Sequence, residues 1–167
     1  MKHITHLAPL RAALLAALCG PGIGLAQELA GSSWTLVQVD NILPDGRHIE
    51  LYGPKPEGRL LFDGGGHYSL QIFSANRAPF PLNDKSRGSA DDYKAAVMGT
   101  NAHVGKYALD AAGHSLTFNI EHASFPNWDG TVQKRAYSIV GDILRYTVPA
   151  PTSGGGAGGE VAWRRLP

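Results

Sequence analysis

From residue 33 to residue 165 the chain is written in short alternating runs of apolar and polar residues rather than in long periodic stretches. Eight runs have the length and the β-branched and aromatic bias of strands: residues 33–39 (SWTLVQV), 59–63 (RLLFD), 67–73 (HYSLQIF), 103–109, 115–122, 131–140, 143–148 and 160–165. Short turn signals separate most of them. Gly64-Gly65-Gly66 joins the second and third, Asp110 to Gly113 the fourth and fifth, and Gly141-Asp142 the sixth and seventh. Residues 41–58 carry Pro44-Asp45-Gly46, Gly53-Pro54 and Pro56 and read as loop throughout. A glycine-rich tract, residues 152–159, precedes the last strand. Only one stretch changes period. Ser89 and Asp92 form a capping box, and Tyr93, Ala96, Val97 and Thr100 follow at helical spacing, so a short helix is expected over residues 90–99, packed by Tyr93 and Val97. The pair Asp91/Asp92 then complements the helix dipole rather than forming a catalytic dyad. Eight is the number at which an antiparallel sheet closes and still holds one small ligand. The expected fold is all-β, an eight-stranded antiparallel up-and-down barrel with one short helix between strands 3 and 4.

Alternation also assigns faces. In 115–122 the set Leu116, Phe118, Ile120 and His122 is the apolar one and should point inward. Tyr68 alternates with Leu70 and Ile72, and Tyr107 with Leu109. In 131–140 neither face is cleanly apolar, but Tyr137 and Ile139 favour the face that also carries Thr131, Gln133 and Arg135. That face buries Arg135. An unpaired charge inside is very costly, so Arg135 needs a carboxylate, tyrosine hydroxyls, backbone carbonyls or the acid group of a ligand. Its planar fork suits a carboxylate.

The first 26 residues belong to a different category. Lys2 and Arg11 precede an apolar run, residues 12–18, too short to span a bilayer, and Gly24-Leu25-Ala26 supplies a small-residue cleavage site before Gln27. Cys19 follows Leu18, where a lipid-anchored cysteine needs a small residue before it, so a signal peptide over 1–26 is expected and not a lipoprotein. The mature chain, 27–167, fits one domain. Losing Lys2 and Arg11 from the 15 basic residues, against 14 acidic ones, leaves a formal charge of −1, no footprint for nucleic acid and no integral membrane segment. The only cysteine goes with the leader, which excludes disulfides, a thiol nucleophile and cysteine metal sites. A periplasmic or secreted location follows.

The terminal strands carry Gly31-Ser32-Ser33-Trp34 and Trp163-Arg164-Arg165. These resemble the opening glycine–tryptophan and closing arginine of the lipocalin superfamily, where the tryptophan plugs the closed end and the arginine covers its face. Trp34, Arg164 and Arg165 are structural on that reading. Nearly the whole mature chain resembles the bacterial and fungal lipocalin-like domain family. The residues that carry the likeness are Trp34-Thr35-Leu36-Val37, Tyr52-Gly53-Pro54-Lys55-Pro56-Glu57-Gly58, Gly66-His67-Tyr68-Ser69, Tyr93-Lys94-Ala95-Ala96 and Gly105-Lys106-Tyr107. The most specific is Phe125-Pro126-Asn127-Trp128-Asp129-Gly130-Thr131, followed by Gln133, Arg135 and Tyr137. The resemblance implies a barrel that binds a small apolar molecule, with its helix between the third and fourth strands.

Faces and resemblance together give a candidate ligand site of Tyr68, Tyr107, His122, Arg135 and Tyr137, with Trp128 near its mouth. No cofactor or metal is expected. His48, His67, His103, His114 and His122 show no metal spacing, and His103 with His122 falls short of the three protein ligands zinc wants. No nucleophile elbow, phosphate loop or dinucleotide fingerprint occurs. The leading reading is an exported lipocalin-like protein that binds or carries a small hydrophobic molecule, acidic where Arg135 is its anchor. The alternatives are a small barrel enzyme of isomerase or cyclase type acting inside the cavity, and a barrel filled by its own side chains. An internal pocket of roughly several hundred cubic ångströms separates the last from the others, and convergence of inward polar groups speaks for chemistry. Oligomeric state is not legible.

Overall fold

The computed structural model describes residues 29–110, 112–149 and 158–167, so the expected signal peptide and most of the glycine-rich tract lie outside the described residues. The strands are β1 (Ser33–Ile42), β2 (His48–Glu50), β3 (Glu57–Phe62), β4 (His67–Phe73), β5 (Thr100–Asp110), β6 (Ser115–Ala123), β7 (Val132–Val140), β8 (Ile143–Val148) and β9 (Gly158–Arg165). They form one antiparallel sheet in the order β2-β1-β3-β4-β5-β6-β7-β8-β9, and β1 also pairs with β9. That second pairing closes the sheet into an eight-stranded up-and-down barrel. β2 is an extra ribbon on the end of β1, with Asp40 opposite Glu50 and Ile42 opposite His48.

β2 corrects the reading of residues 41–58 as loop throughout. The strand that opens the chain runs on to Ile42, turns back through Leu43 to Arg47 with Gly46 at φ +83°, and pairs with itself. Turn residues cluster there, but a three-residue ladder fits between them. The hairpin between β7 and β8 is as tight as expected, with Gly141 at φ +60°.

All the barrel strands alternate direction, so their ends sort into two rims. The β3–β4, β5–β6 and β7–β8 turns lie at one end with Trp34 and Arg165, and the long connections lie at the other. The first end is sealed. Trp34, Leu116, Leu144 and Trp163 are fully buried there, and the Trp34 indole donates to Ser32 Oγ at 2.7 Å. The Arg165 guanidinium lies 4.8 Å from the centre of the Trp34 ring, a cation–π contact, while Arg164 turns toward Asp142 at 3.4 Å. Of the two candidate arginines, Arg165 is the lid on Trp34.

The helix, α1 (Ala90–Met98), crosses the open end between β4 and β5. Its capping box is complete: Ser89 Oγ accepts from the Asp92 amide, and Asp92 accepts from the Ser89 amide. It buries none of its residues. Tyr93 and Val97 therefore do not pack it onto the core as expected. Tyr93 stacks on Phe80 and donates to the Lys85 carbonyl at 2.7 Å, and Val97 is 64% exposed. With no core beneath it, the helix spans an opening.

Candidate functional site

Below α1, inside the open half of the barrel, lies a cavity of about 220 Å³. Its walls are Val39, Tyr52, Leu70, Ile72 and Val161; Val97 and Met98 of α1 and Phe125 of the β6–β7 connection stand at the mouth. Three polar side chains from separate strands meet at its inner end, His103 on β5, Arg135 on β7 and Tyr146 on β8, while Asp40, Asn41, Thr100, Asn101 and Ser124 line it toward the open rim. All three surround the Phe118 ring, whose centre is 5.7 Å from that of His103, 5.2 Å from the Arg135 guanidinium carbon and 5.9 Å from the Tyr146 ring. Phe118 is fully buried behind them and off the cavity wall, so the three polar groups themselves form the floor. Trp128 stands edge-on to His103 at 5.9 Å, half-buried beneath Phe125.

Arg135 sits inward as alternation expects, 5% exposed. No carboxylate pairs with it among the described residues. It donates to Gln133 Oε1, two residues along the same strand, and lies over the faces of Phe118 and Tyr146, the latter at 4.9 Å. Burial pulls its pKa below the ordinary value, the Tyr146 and Tyr68 oxygens act the other way, and it remains a cation. The Tyr68 and Tyr107 hydroxyls, expected as partners, are engaged elsewhere by His103 and the Asp63 carbonyl, and Arg135 is held by Gln133 together with the ring face and hydroxyl oxygen of Tyr146. The Tyr146 hydroxyl is buried without a well-aligned partner, and burial raises its pKa against the pull of Arg135 and the Trp163 indole.

Tyr68 is buried just behind the cavity wall, with its hydroxyl 2.7 Å from His103 Nδ1. Burial pushes the phenol pKa far up, so it keeps its proton. Burial first, and the Arg135 charge second, hold His103 down at about 3. The imidazole is neutral, with Nδ1 engaged by the Tyr68 hydroxyl.

The other expected site residues are elsewhere. Tyr107 is at the sealed end, edge-on to Phe62 and donating to the Asp63 carbonyl at 3.3 Å. Tyr137 is buried one step beyond Arg135 toward that end, off the cavity wall. His122 is turned out of the barrel, its side chain 83% exposed and 3.6 Å from Asp129. A β-bulge reverses its face: Gly105 pairs with Ile120 and Val104 with His122, leaving Glu121 as the extra residue. Gly105 admits that bulge, since a Cβ there would fall 2.1 Å from the Asn119 carbonyl oxygen. Trp128 and Arg135 do line the cavity, and Tyr68 touches it through His103.

His103 and Tyr146 are the polar groups the candidate list lacked. Both were within reach of the same alternation, His103 with Gly105 and Tyr107, Tyr146 with Leu144. Tyr52, 8% exposed in the β2–β3 connection, had no periodic signal to reveal it.

A closed eight-stranded antiparallel barrel with one end plugged by tryptophan and an apolar cavity at the other is the architecture of a small-ligand binder. The model of the lipocalin-like domain matches residues 31–166, and the chain belongs to that family. It is also similar to the 4'-hydroxy-3'-methoxypropiophenone carrier protein ppsC of Aspergillus oryzae, 42% identical over 88 residues, which cover 48% of this chain and 79% of that protein.

Proposed function

We propose that this protein is an exported carrier for one small aromatic molecule, held in the open half of the barrel with an oxygen head group against Arg135. The observation that carries the reading is a buried arginine that pairs with no carboxylate among the described residues, facing a mostly apolar cavity. Such a charge is costly unless something anionic or strongly accepting completes it. Size narrows the class. Pockets for drug-sized ligands run to roughly 300–1,000 Å³, whereas this one is about 220 Å³, room for a single substituted ring rather than a long acyl chain. The relative named as carrier of a hydroxy-methoxyphenyl ketone supports a ligand of that type.

Convergence of His103, Arg135 and Tyr146 on one floor also suits an enzyme. General acid–base catalysis, however, works best with a pKa near the operating pH, and His103 is held at about 3. With no base poised at neutral pH, the convergence serves recognition.

Titration of the purified protein with single-ring aromatic acids and aryl ketones, alongside long-chain fatty acids, tests the reading. The aromatic compounds should bind better, and Arg135→Leu should cost about one to three kcal/mol of their affinity, the worth of a charge-assisted bond. Preference for fatty acids, or unchanged affinity in the variant, defeats it. Export is tested separately: N-terminal sequencing of the extracytoplasmic form should begin near Gln27.

A further inference from the structure

We infer that the cavity takes up its ligand as an oxyanion, so that a phenol binds as the phenolate and gives its proton to solvent on entry. This deepens, and rests on, the carrier reading.

Charge is unbalanced at the floor where His103, Arg135 and Tyr146 meet. Arg135 presents only N–H groups. Gln133 Oε1 accepts from it and the Tyr146 hydroxyl oxygen stabilises it, and because both are neutral the charge stays unmatched. His103 lines the cavity beside it as a neutral ring, its Nδ1 engaged by Tyr68. Asp40, the carboxylate that lines the cavity, belongs to the β1 end near the mouth, engaged by Gln38 at 2.5 Å and by His48 at 2.9 Å. Its other oxygen is buried without a hydrogen-bond partner. Among the described residues, no negative charge sits at the floor to balance Arg135.

A neutral hydroxyl placed there leaves the buried Arg135 charge uncompensated, whereas a phenolate oxygen accepts from the guanidinium and matches it. His103 stays neutral beside Arg135, so the floor offers a single cation and fits a monoanion. The balance is simple: the O–H bond of the ligand breaks, the proton goes to buffer, the electron pair stays on the ring oxygen, and Arg135 keeps its charge throughout.

The probe is 4'-hydroxy-3'-methoxypropiophenone, an acylphenol whose carbonyl para to the hydroxyl delocalises phenolate charge and shifts its absorption to the red. At a pH where the free compound is neutral, adding the protein should produce the phenolate band. Affinity should tighten about tenfold per pH unit up to the phenol's own pKa and then level, with about one proton released per ligand. Calorimetry in two buffers of different ionisation enthalpy counts that proton. The methyl ether, which cannot ionise, should bind at least about tenfold more weakly. In Arg135→Leu the bound ligand should absorb as the neutral phenol; if that variant does not fold, the spectrum and pH profile of the unaltered protein decide alone. A bound ligand absorbing as the neutral phenol, with affinity flat below its pKa, overturns the inference while the carrier reading stands. Binding of aromatic carboxylates but not of this phenol does the same. Failure of every single-ring compound overturns both.

Discussion

The two ends of this barrel are made from the same eight strands and put opposite things inside. At the sealed end, inward positions hold Trp34, Leu116, Leu144 and Trp163, all fully buried, with the Trp34 indole N–H bonded to Ser32 and its ring covered by Arg165. At the open end, the inward positions on β5, β7 and β8 carry His103, Arg135 and Tyr146 instead, leaving a cavity and a cation without a carboxylate. Filling one half secures the closed sheet. That security lets the other half keep groups that folding alone would not select. Stability and recognition are separated along the barrel axis.

The largest expected effect tests the sealed half. Trp34→Ala should cost about 3–5 kcal/mol, because the plug leaves a cavity no neighbour can fill. Denaturant unfolding measures it, and a loss below about 1 kcal/mol would mean that the closed end is not where stability resides.

The second prediction concerns acid. The unfolded chain protonates His103 near its ordinary 6.5, while the folded chain refuses that proton down to about 3. The folded pKa is depressed, so stability is complete above pH 6.5 and falls as pH drops through the window to 3, by roughly 1.4 kcal/mol per pH unit within it. The carboxylates with lowered pKa, Asp45, Asp63, Asp84 and Asp92, are all exposed and depart from an ordinary 3.8, so the part of the window above 4 reports on His103. His103→Phe should flatten stability between pH 6 and 4, at a cost of about 1–3 kcal/mol at neutral pH for leaving the Tyr68 hydroxyl unpaired. An unchanged slope would remove His103 from the account.

Arg135→Leu sharpens the contrast, because its two effects have opposite signs. Removing a buried cation that lacks a carboxylate should raise stability by about 1 kcal/mol or more, even as ligand affinity falls. Destabilisation together with lost binding would make Arg135 a structural residue of the open half. The smallest effect belongs to the mouth. Val97→Ser and Met98→Ser, on a helix that buries nothing, should change stability by no more than about 0.5 kcal/mol. Stopped-flow binding should nevertheless show altered ligand entry and exit, since both residues stand over the cavity.

The number of barrel strands, their direction and closure were legible in the chain, though β2 was not, because each depends on local alternation and on turns with strong residue preferences. Gly141-Asp142 and the Ser89 capping box are examples, and the burial of Arg135 followed from the same alternation. The paired terminal motifs placed Trp34 beside the last strand, but the choice of Arg165 over Arg164 as its cover depended on which side of β9 faces the plug. Alternation failed at His122, where an extra residue at Glu121 turns the strand over. A bulge leaves no mark in one strand's own sequence, because it is a mismatch between two.

Which inward residues share a layer was also decided only by folding. Tyr68, Tyr107, Arg135 and Tyr137 all point into the barrel, yet strand stagger sends Tyr107 and Tyr137 toward the plug and brings His103 and Tyr146 to Arg135. Period-two patterning determines the side of a sheet a residue faces, a property of one strand. Height along the barrel axis depends on the register of every neighbouring pair around the closed sheet, so the floor that meets a ligand exists only once β1 has met β9.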